Sequence, residues 1–244
     1  DSYGLFITTT PATITSHGEE SGEFTATIPA NTRRIHFIAN QNMTDFQEDE
    51  FRNKSEADVI ALLEGSSGMM IYWARFACDA NNEESIDQQL AKNPNIIMIR
   101  NQAKITIDNP TGNGYLVVTG FTAYNTNAFG TVAPYHPTKG WVWSSNADVE
   151  PFVTLPANDA KLSDIQDVQD ISQNPELYVF ECENSSEDPV SVIIRGHLPG
   201  ESEELYYRVM LIDEKGDQIL IRRNHHYKLN IKGALSFGQE NFAA

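Results

Sequence analysis

Few residues in this 244-residue chain have the type and spacing to do chemistry. Among the histidines only His225 and His226 are neighbours. They sit in an alternating apolar and polar run, and adjacent strand residues point to opposite faces, so the pair is poorly placed to share a metal ion. One ring is expected to pack and the other to be solvated. Asp164, Asp167 and Asp170 stand at i, i+3 spacing, but the glycine and bidentate glutamate of an EF-hand calcium loop are missing. They read as a solvated acidic face, as do Asp45, Glu48, Asp49 and Glu50. Cys78 and Cys182 have no Cys-x-x-Cys or Cys/His companion, so no zinc site is expected. They read as two separate buried thiols. The alternative is one long-range disulfide, which requires Cα atoms within about 7 Å. No nucleophile elbow, zinc-protease helix, phosphate loop or dinucleotide fingerprint occurs. A hydrolase built on two of the many carboxylates needs them at a set separation in a cleft, which spacing along the chain does not report. No catalytic residue, cofactor or metal is therefore expected. The remaining candidates are the aromatic residues Tyr135, Trp141 and Trp143. Rings on a surface stack on sugars or anchor a partner protein. The competing reading packs these three at a seam between domains.

The elements that must position these residues are mostly strands. Thirty-four acidic against 17 basic residues give a net charge of −17, which argues against nucleic acid as a partner. Hydrophobic residues make up 40%, enough for a real core, and the length suits one or two domains. There is no apolar run long enough for a membrane-spanning helix. Period-two patterns predict strands at Phe24–Ile28, Ile35–Phe37, Met69–Phe76, Ile96–Ile99, Ile105–Ile107 and Tyr115–Phe121. In the second half they predict Leu177–Cys182, Val190–Ile194, Leu205–Ile212, Ile219–Ile221 and Tyr227–Lys232. The turn Asp213–Asp217 makes a hairpin of two of these. Two short helices are predicted in the first half. One follows Ser55, with Asp58 as its capping partner, and ends near Gly65; the other runs from about Glu83 to Lys92 and is stopped by Pro94. Ser163–Ser172 reads as a short helix or a loop. From Asn125 to Ala160 periodicity fades among prolines and asparagines, so a domain division is placed after Tyr124, giving units 1–124 and 125–244. Trp141–Trp143 and Phe152–Leu155 are expected to be strands within that stretch.

Three stretches carry a family resemblance. They are Ile28-Pro29-Ala30-Asn31-Thr32-Arg33-Arg34-Ile35-His36-Phe37-Ile38-Ala39-Asn40, then Tyr206-Tyr207-Arg208-Val209-Met210-Leu211-Ile212-Asp213, then Ile221-Arg222-Arg223-Asn224-His225-His226-Tyr227-Lys228-Leu229-Asn230-Ile231. Together, and in this order, they resemble the fimbrillins of Bacteroidales, the subunits of type V pili. The resemblance implies a mainly β fold of two tandem transthyretin-like β-sandwich domains, with the short helices in the first. It implies a lipid-anchored precursor that meets the membrane only through that anchor, and a place on the cell surface in a fimbria. There an arginine-specific protease removes a leading strand, and the vacated groove accepts a strand from a neighbouring subunit. An exposed edge and apolar groove are satisfied by the donated strand, and the head-to-tail contact propagates into a polymer. The implied partners are other fimbrial subunits, with host or bacterial surface ligands if the subunit also adheres.

The sequence departs from that pattern in places. No lipoprotein cysteine or leading strand stands before Asp1, and Arg33 and Arg34 fall inside a predicted strand, so the cleavage site is not carried onto them. In the tail, Leu235 and Phe237 alternate as a donor strand would, but Gly238-Gln239-Glu240-Asn241 breaks the pattern, and a frayed end is the competing reading. Shaft, anchor and tip roles all stay open, as does a longer protein of which this chain is the front part. The rival reading from another class is a surface glycan-binding module with Tyr135, Trp141 and Trp143 as its platform.

Overall fold

The computed structural model describes residues 4–19, 21–41, 46–79, 84–108, 110, 114–142, 153–157, 159–162, 167–185, 187–231 and 238–239. The chain opens with a hairpin, β1 (Thr13–His17) and β2 (Gly22–Thr25), followed by β3 (Arg34–Ala39). Two short helices follow, α1 (Glu48–Phe51) and α2 (Glu56–Ala61), then β4 (Glu64–Ser66), β5 (Tyr72–Ala77), α3 (Ile86–Lys92) and β6 (Ile99–Arg100). Next come β7 (Gln102–Ile107), β8 (Val117–Tyr124), β9 (Phe129–Thr131), β10 (Tyr135–His136) and β11 (Gly140–Trp141). The last strands are β12 (Gln169–Asp170), β13 (Leu177–Phe180), β14 (Ser191–His197), β15 (Leu205–Met210) and β16 (His226–Leu229). The protein is mainly β, with several open sheets.

The helices begin where their caps demand. Ser55 Oγ accepts from the Asp58 amide while the Asp58 carboxylate reaches back to the Ser55 amide, a reciprocal capping box that satisfies two orphan donors of α2. Ser85 and Gln88 do the same for α3. The helix α1 lies within the acidic run that the sequence presents as a solvated face. Its buried residue is Phe51, whose ring stacks on Phe46 at 4.2 Å.

Two apolar clusters organise the sheets. The larger lies between the four-stranded sheet β12-β8-β14-β15 and the three-stranded sheet β13-β7-β16. It takes Ile105 from β7, Val118 and Phe121 from β8, Val179 from β13, and Val192 and Ile194 from β14, with Ile221 below. The smaller cluster packs Ile60 and Leu63 from α2 and its end against Ile71, Trp73, Ile99, Val132 and Ala133. The chain shuttles between the two. Residues 102–108 and 114–124 serve the larger cluster, β9 to β11 return to the smaller one, and the described strands β13 to β16 serve the larger again. Tyr124, where the sequence suggests a division, is the last residue of β8. That strand's main partner, β14, comes from beyond it.

Several expected strands are shorter than their apolar runs. Ile96, Ile97 and Met98 stay outside β6, and Ile97 is 84% exposed. The expected hairpin over Asp213–Asp217 is present as an isolated bridge, Ile212 to Gln218. The run Tyr227–Lys232 forms β16 only to Leu229, and it lies parallel to β7, a pairing no local pattern announces. In place of the expected Ser163–Ser172 helix or loop, the described part holds β12 and a 3-10 turn at Ile171–Gln173.

One glycine has a packing reason. A Cβ on Gly130 in β9 would sit 2.1 Å from Cδ1 of Phe180 in β13, so the backbone of β9 rests directly on that ring. Gly130→Ala is expected to destabilise the protein by about 1–3 kcal/mol through overpacking. Chemical denaturation checks this, with Phe180→Leu recovering part of the loss in the double variant.

Candidate functional site

In β5, alternation and register together leave an open edge. Cys78 N–H donates to Arg33 C=O at 2.9 Å, which sets the phase of the β3–β5 ladder. In an antiparallel pair the bonding residues alternate. Tyr72, Ala74 and Phe76 therefore face β3 with their main-chain groups, and Trp73, Arg75 and Ala77 face the other way. On that other side β6 meets only Tyr72 and Trp73. Arg75 and Ala77 are thus left with outward N–H and C=O groups that bond to no described residue. Beside them the segment 93–97 diverges and leaves a groove of about 360 Å³, lined by Trp73, Arg75, Phe76, Asn95, Ile97 and Trp141.

Behind this groove lies a network of rings and charges. Trp141 stacks on Trp73 with centroids 5.5 Å apart, meets Tyr135 edge-on at 5.0 Å and lies 5.6 Å from His36. The Arg75 guanidinium sits 4.8 Å over the Trp141 ring. Tyr135 and Trp141 are therefore in contact, and both are half-buried against the smaller cluster. Trp143 lies outside the described residues. His36 accepts a hydrogen bond from Trp73 Nε1 at 3.1 Å and its other ring nitrogen contacts Glu56 at 2.9 Å. Glu56 also pairs with Arg75 at 2.5 Å and Arg34 at 3.3 Å. Burial pushes the Glu56 carboxyl up, but the hydrogen bonds from His36 and Arg75 and the Arg75 charge outweigh it and hold the group down at about 2. The carboxylate fixes Arg75 as a wall of the groove.

A second network joins the two clusters. Arg223 and Glu181 are both buried, at 3% and 4% exposure. Arg223 donates to Glu181 Oε1 from Nε at 2.9 Å and to Val132 C=O from the guanidinium at 2.9 Å. Its remaining donors reach Thr131 and Thr154, whose hydroxyl also bonds Glu181. Glu181 follows β13 in the larger cluster, and Thr131 and Val132 belong to the β9 region of the smaller one. Asn224, at φ 57°, turns the chain and accepts from the Arg100 amide at 3.2 Å, while Tyr227 Oη accepts from the Arg222 amide and donates to Leu220 C=O. The Arg-Asn-His stretch that carries the family resemblance is thus a structural hub. Its sequence signal was visible; its buried partner, Glu181, was not.

The other sequence candidates are dispersed. His225 Nδ1 contacts Arg223 C=O at 2.8 Å, and exposed His226 contacts Thr106 at 2.8 Å. Asp170 caps the 3-10 turn by accepting from the Ser172 amide, and Asp164 lies outside the described residues. Cys78 and Cys182 are free thiols, and burial pushes the Cys182 thiol up. Leu235 and Phe237 also lie outside the described residues. Just beyond them, Gln239 exchanges both main-chain bonds with Tyr206 of the edge strand β15, at 2.9 and 3.0 Å. No helix among the described residues is long and apolar enough to cross a membrane.

No family model matches the chain. It is 26% identical over 219 residues to the "Major fimbrium tip subunit FimE" of Porphyromonas gingivalis, a match covering 85% of this chain and 37% of that protein. The chain thus spans well under half the length of the curated relatives it matches. A solved structure from Parabacteroides distasonis, presented as that of a candidate cell adhesion protein, covers 85% of this chain and 69% of its own, at 16% identity and a TM-score of 0.45. That score decides nothing about the fold. The sequence relationship agrees with the resemblance that the three strand stretches carry: the chain is similar to a fimbrial tip subunit of the Bacteroidales.

Proposed function

We propose that this chain is part of a structural, non-enzymatic subunit of a cell-surface fimbria that assembles head to tail by accepting an extended segment of a neighbouring subunit. The observation that carries this reading is the outward main chain of Arg75 and Ala77 beside an open groove. An unpaired edge next to apolar side chains is a template for an added strand, with main-chain bonds giving affinity and the groove giving register. Two tandem transthyretin-like sandwiches form part of the proposal, with β7 and β8 assigned to the sandwich built on the larger cluster. Adhesion through host or bacterial ligands is an added role within this proposal.

Ala77→Pro tests the edge directly. It removes an N–H that faces away from the β3 ladder, so the fold is expected to survive, as prolines do on sheet edges. The full-length precursor, treated with an arginine-specific protease and run unboiled on a denaturing gel, is expected to give a ladder of multimers. The Ala77→Pro precursor is expected to give the monomer band. A ladder from the variant, or no ladder from either form, overturns the reading.

A further inference from the structure

The outer face of the sheet β13-β7-β16 carries a charge opposite to that of the molecule. Inward positions such as Ile105 and Val179 fill the larger cluster, so alternation points Tyr178, Lys104, Thr106, His226 and Lys228 outward. The register sets them in two rungs. Tyr178, Lys104 and His226 lie abreast across the three strands, and Thr106 and Lys228 form the next rung. Arg100 adds a further positive charge at the edge of the face, near Tyr178 and His226. The one carboxylate among these groups is Glu176, and it is already used. It accepts from Lys104 at 2.6 Å and from Tyr178 Oη at 2.5 Å, which pins the tyrosine ring in place. Burial, together with the bond to Glu176, pushes the Tyr178 hydroxyl up to about 12, so it stays a donor. Burial and the charges of Lys104 and Lys228 hold His226 below its ordinary value. No carboxylate lies within ion-pairing distance of Arg100 or Lys228 among the described residues.

We propose that this face is a binding site for an acidic polysaccharide, one bearing carboxylate or sulfate groups along its chain. Three features fix the class. The unmatched cations Arg100 and Lys228 stand out on a protein of net charge −17, so an anion finds a complementary field here. The Tyr178 ring, 41% exposed and held by Glu176, offers a flat surface for a sugar ring. The rung Tyr178, Lys104, His226 spans about 10 Å at the usual strand spacing, and beyond the bond between Thr106 and His226 Nε2 the second His226 ring nitrogen is left for a sugar hydroxyl. An acidic protein, including a second copy of this chain, would use the cations but has less use for the ring. The proposal rests on the cell-surface reading, yet it concerns a face remote from the edge of β5.

The test is retention of the purified chain on immobilised polygalacturonate, with dextran and polyglutamate columns beside it. Retention on polygalacturonate that is released by salt, with none on dextran, is expected. Tyr178→Ala is expected to weaken binding on the order of fivefold, the worth of one aromatic contact. Tyr178→Phe, which keeps the ring, is expected to bind nearly as the parent does. Lys228→Glu, an exposed change that leaves the fold intact, is expected to elute at markedly lower salt. Ala77→Pro is expected to bind unchanged, so failure of strand assembly and failure of this site are separable. No retention on polygalacturonate, equal retention on polyglutamate and polygalacturonate, or indifference to both Tyr178→Ala and Lys228→Glu overturns the proposal. Equal retention on the two polyanions would assign the face to an acidic protein instead.

Discussion

Arg223→Ala is expected to destabilise the protein by about 3–5 kcal/mol, the cost of leaving a buried carboxylate without its partner. The guanidinium is enclosed, and the Glu181 side chain it faces is only 5% exposed. Removing the cation strands that charge and frees the carbonyls of Thr131 and Val132, which Arg223 also serves. Glu181→Gln also strands a charge, the guanidinium, but is expected to cost less than Arg223→Ala, because the amide oxygen still accepts from Arg223 and the guanidinium keeps its bonds to Thr131 and Val132. The double variant Arg223→Met, Glu181→Leu is expected to recover much of the loss, since a buried pair replaced by apolar groups of similar volume is often nearly neutral. Equilibrium denaturation of the four forms measures this. With the single variants Arg223→Met and Glu181→Leu closing the cycle, additive losses in the double variant would show that the pair is not coupled. Because the pair bridges the strands of the larger cluster to the β9 region of the smaller one, loss of Arg223 should also blunt the cooperativity of unfolding, seen as a reduced denaturant slope.

Glu56 sets the second large effect, a dependence of stability on acid. Its carboxyl is held at about 2 in the folded chain against 4.5 as the reference value. A depressed carboxyl contributes stability that is fully present above the unfolded value and is lost as pH falls through the folded one. The window is therefore from about pH 4.5 down to about 2, and the shift corresponds to about 3 kcal/mol. The charges that face the group are Arg34, Arg75 and His36. Other carboxyls titrate over the same range, so the comparison is between the parent and Glu56→Gln. The parent is expected to lose about 2 kcal/mol more than the variant between pH 6 and pH 3. Equal losses in thermal melts of the two forms would remove Glu56 from the account. Arg75 is one wall of the groove beside β5, so the same acid titration should loosen that wall.

Local chemistry made part of this structure readable in advance. Ser55 with Asp58 announces α2, because a cap satisfies donors within one turn of itself; α3 is announced by its apolar spacing and by Pro94, and it starts at Ile86, after the Ser85 cap, and not near Glu83. The alternations at Ile105–Ile107, Leu205–Met210 and Tyr227–Leu229 announce strands, because burying one face of a sheet imposes a period of two on the residues nearby. The Arg222-Arg223-Asn224-His225-His226 stretch announces the kinship. That Tyr135 lies opposite Trp141 is the work of the short hairpin of β10 and β11, which the sequence pattern did not show.

The partners were not legible. That β16 runs parallel to β7, that β8 pairs with β14, and that residues 129–141 return to the smaller cluster are choices among many strands with similar apolar faces. Alternation tells a residue which side it faces, not which neighbour lies beside it. Glu181 gave no sign of being a buried partner, since a lone glutamate beside a cysteine looks like any surface acid until Arg223, 42 positions away, is folded onto it. The open edge at Arg75 and Ala77 depends on where β6 stops, and the apolar run Ile96–Ile99 suggested a longer strand. The sequence by itself determined the strand-rich character and the capped start of α2, both set by interactions within a few residues, and it carried the resemblance to fimbrillins. Only the tertiary structure decided which strands meet, which charge is buried and which edge is left open, because those depend on contacts between residues far apart in the chain.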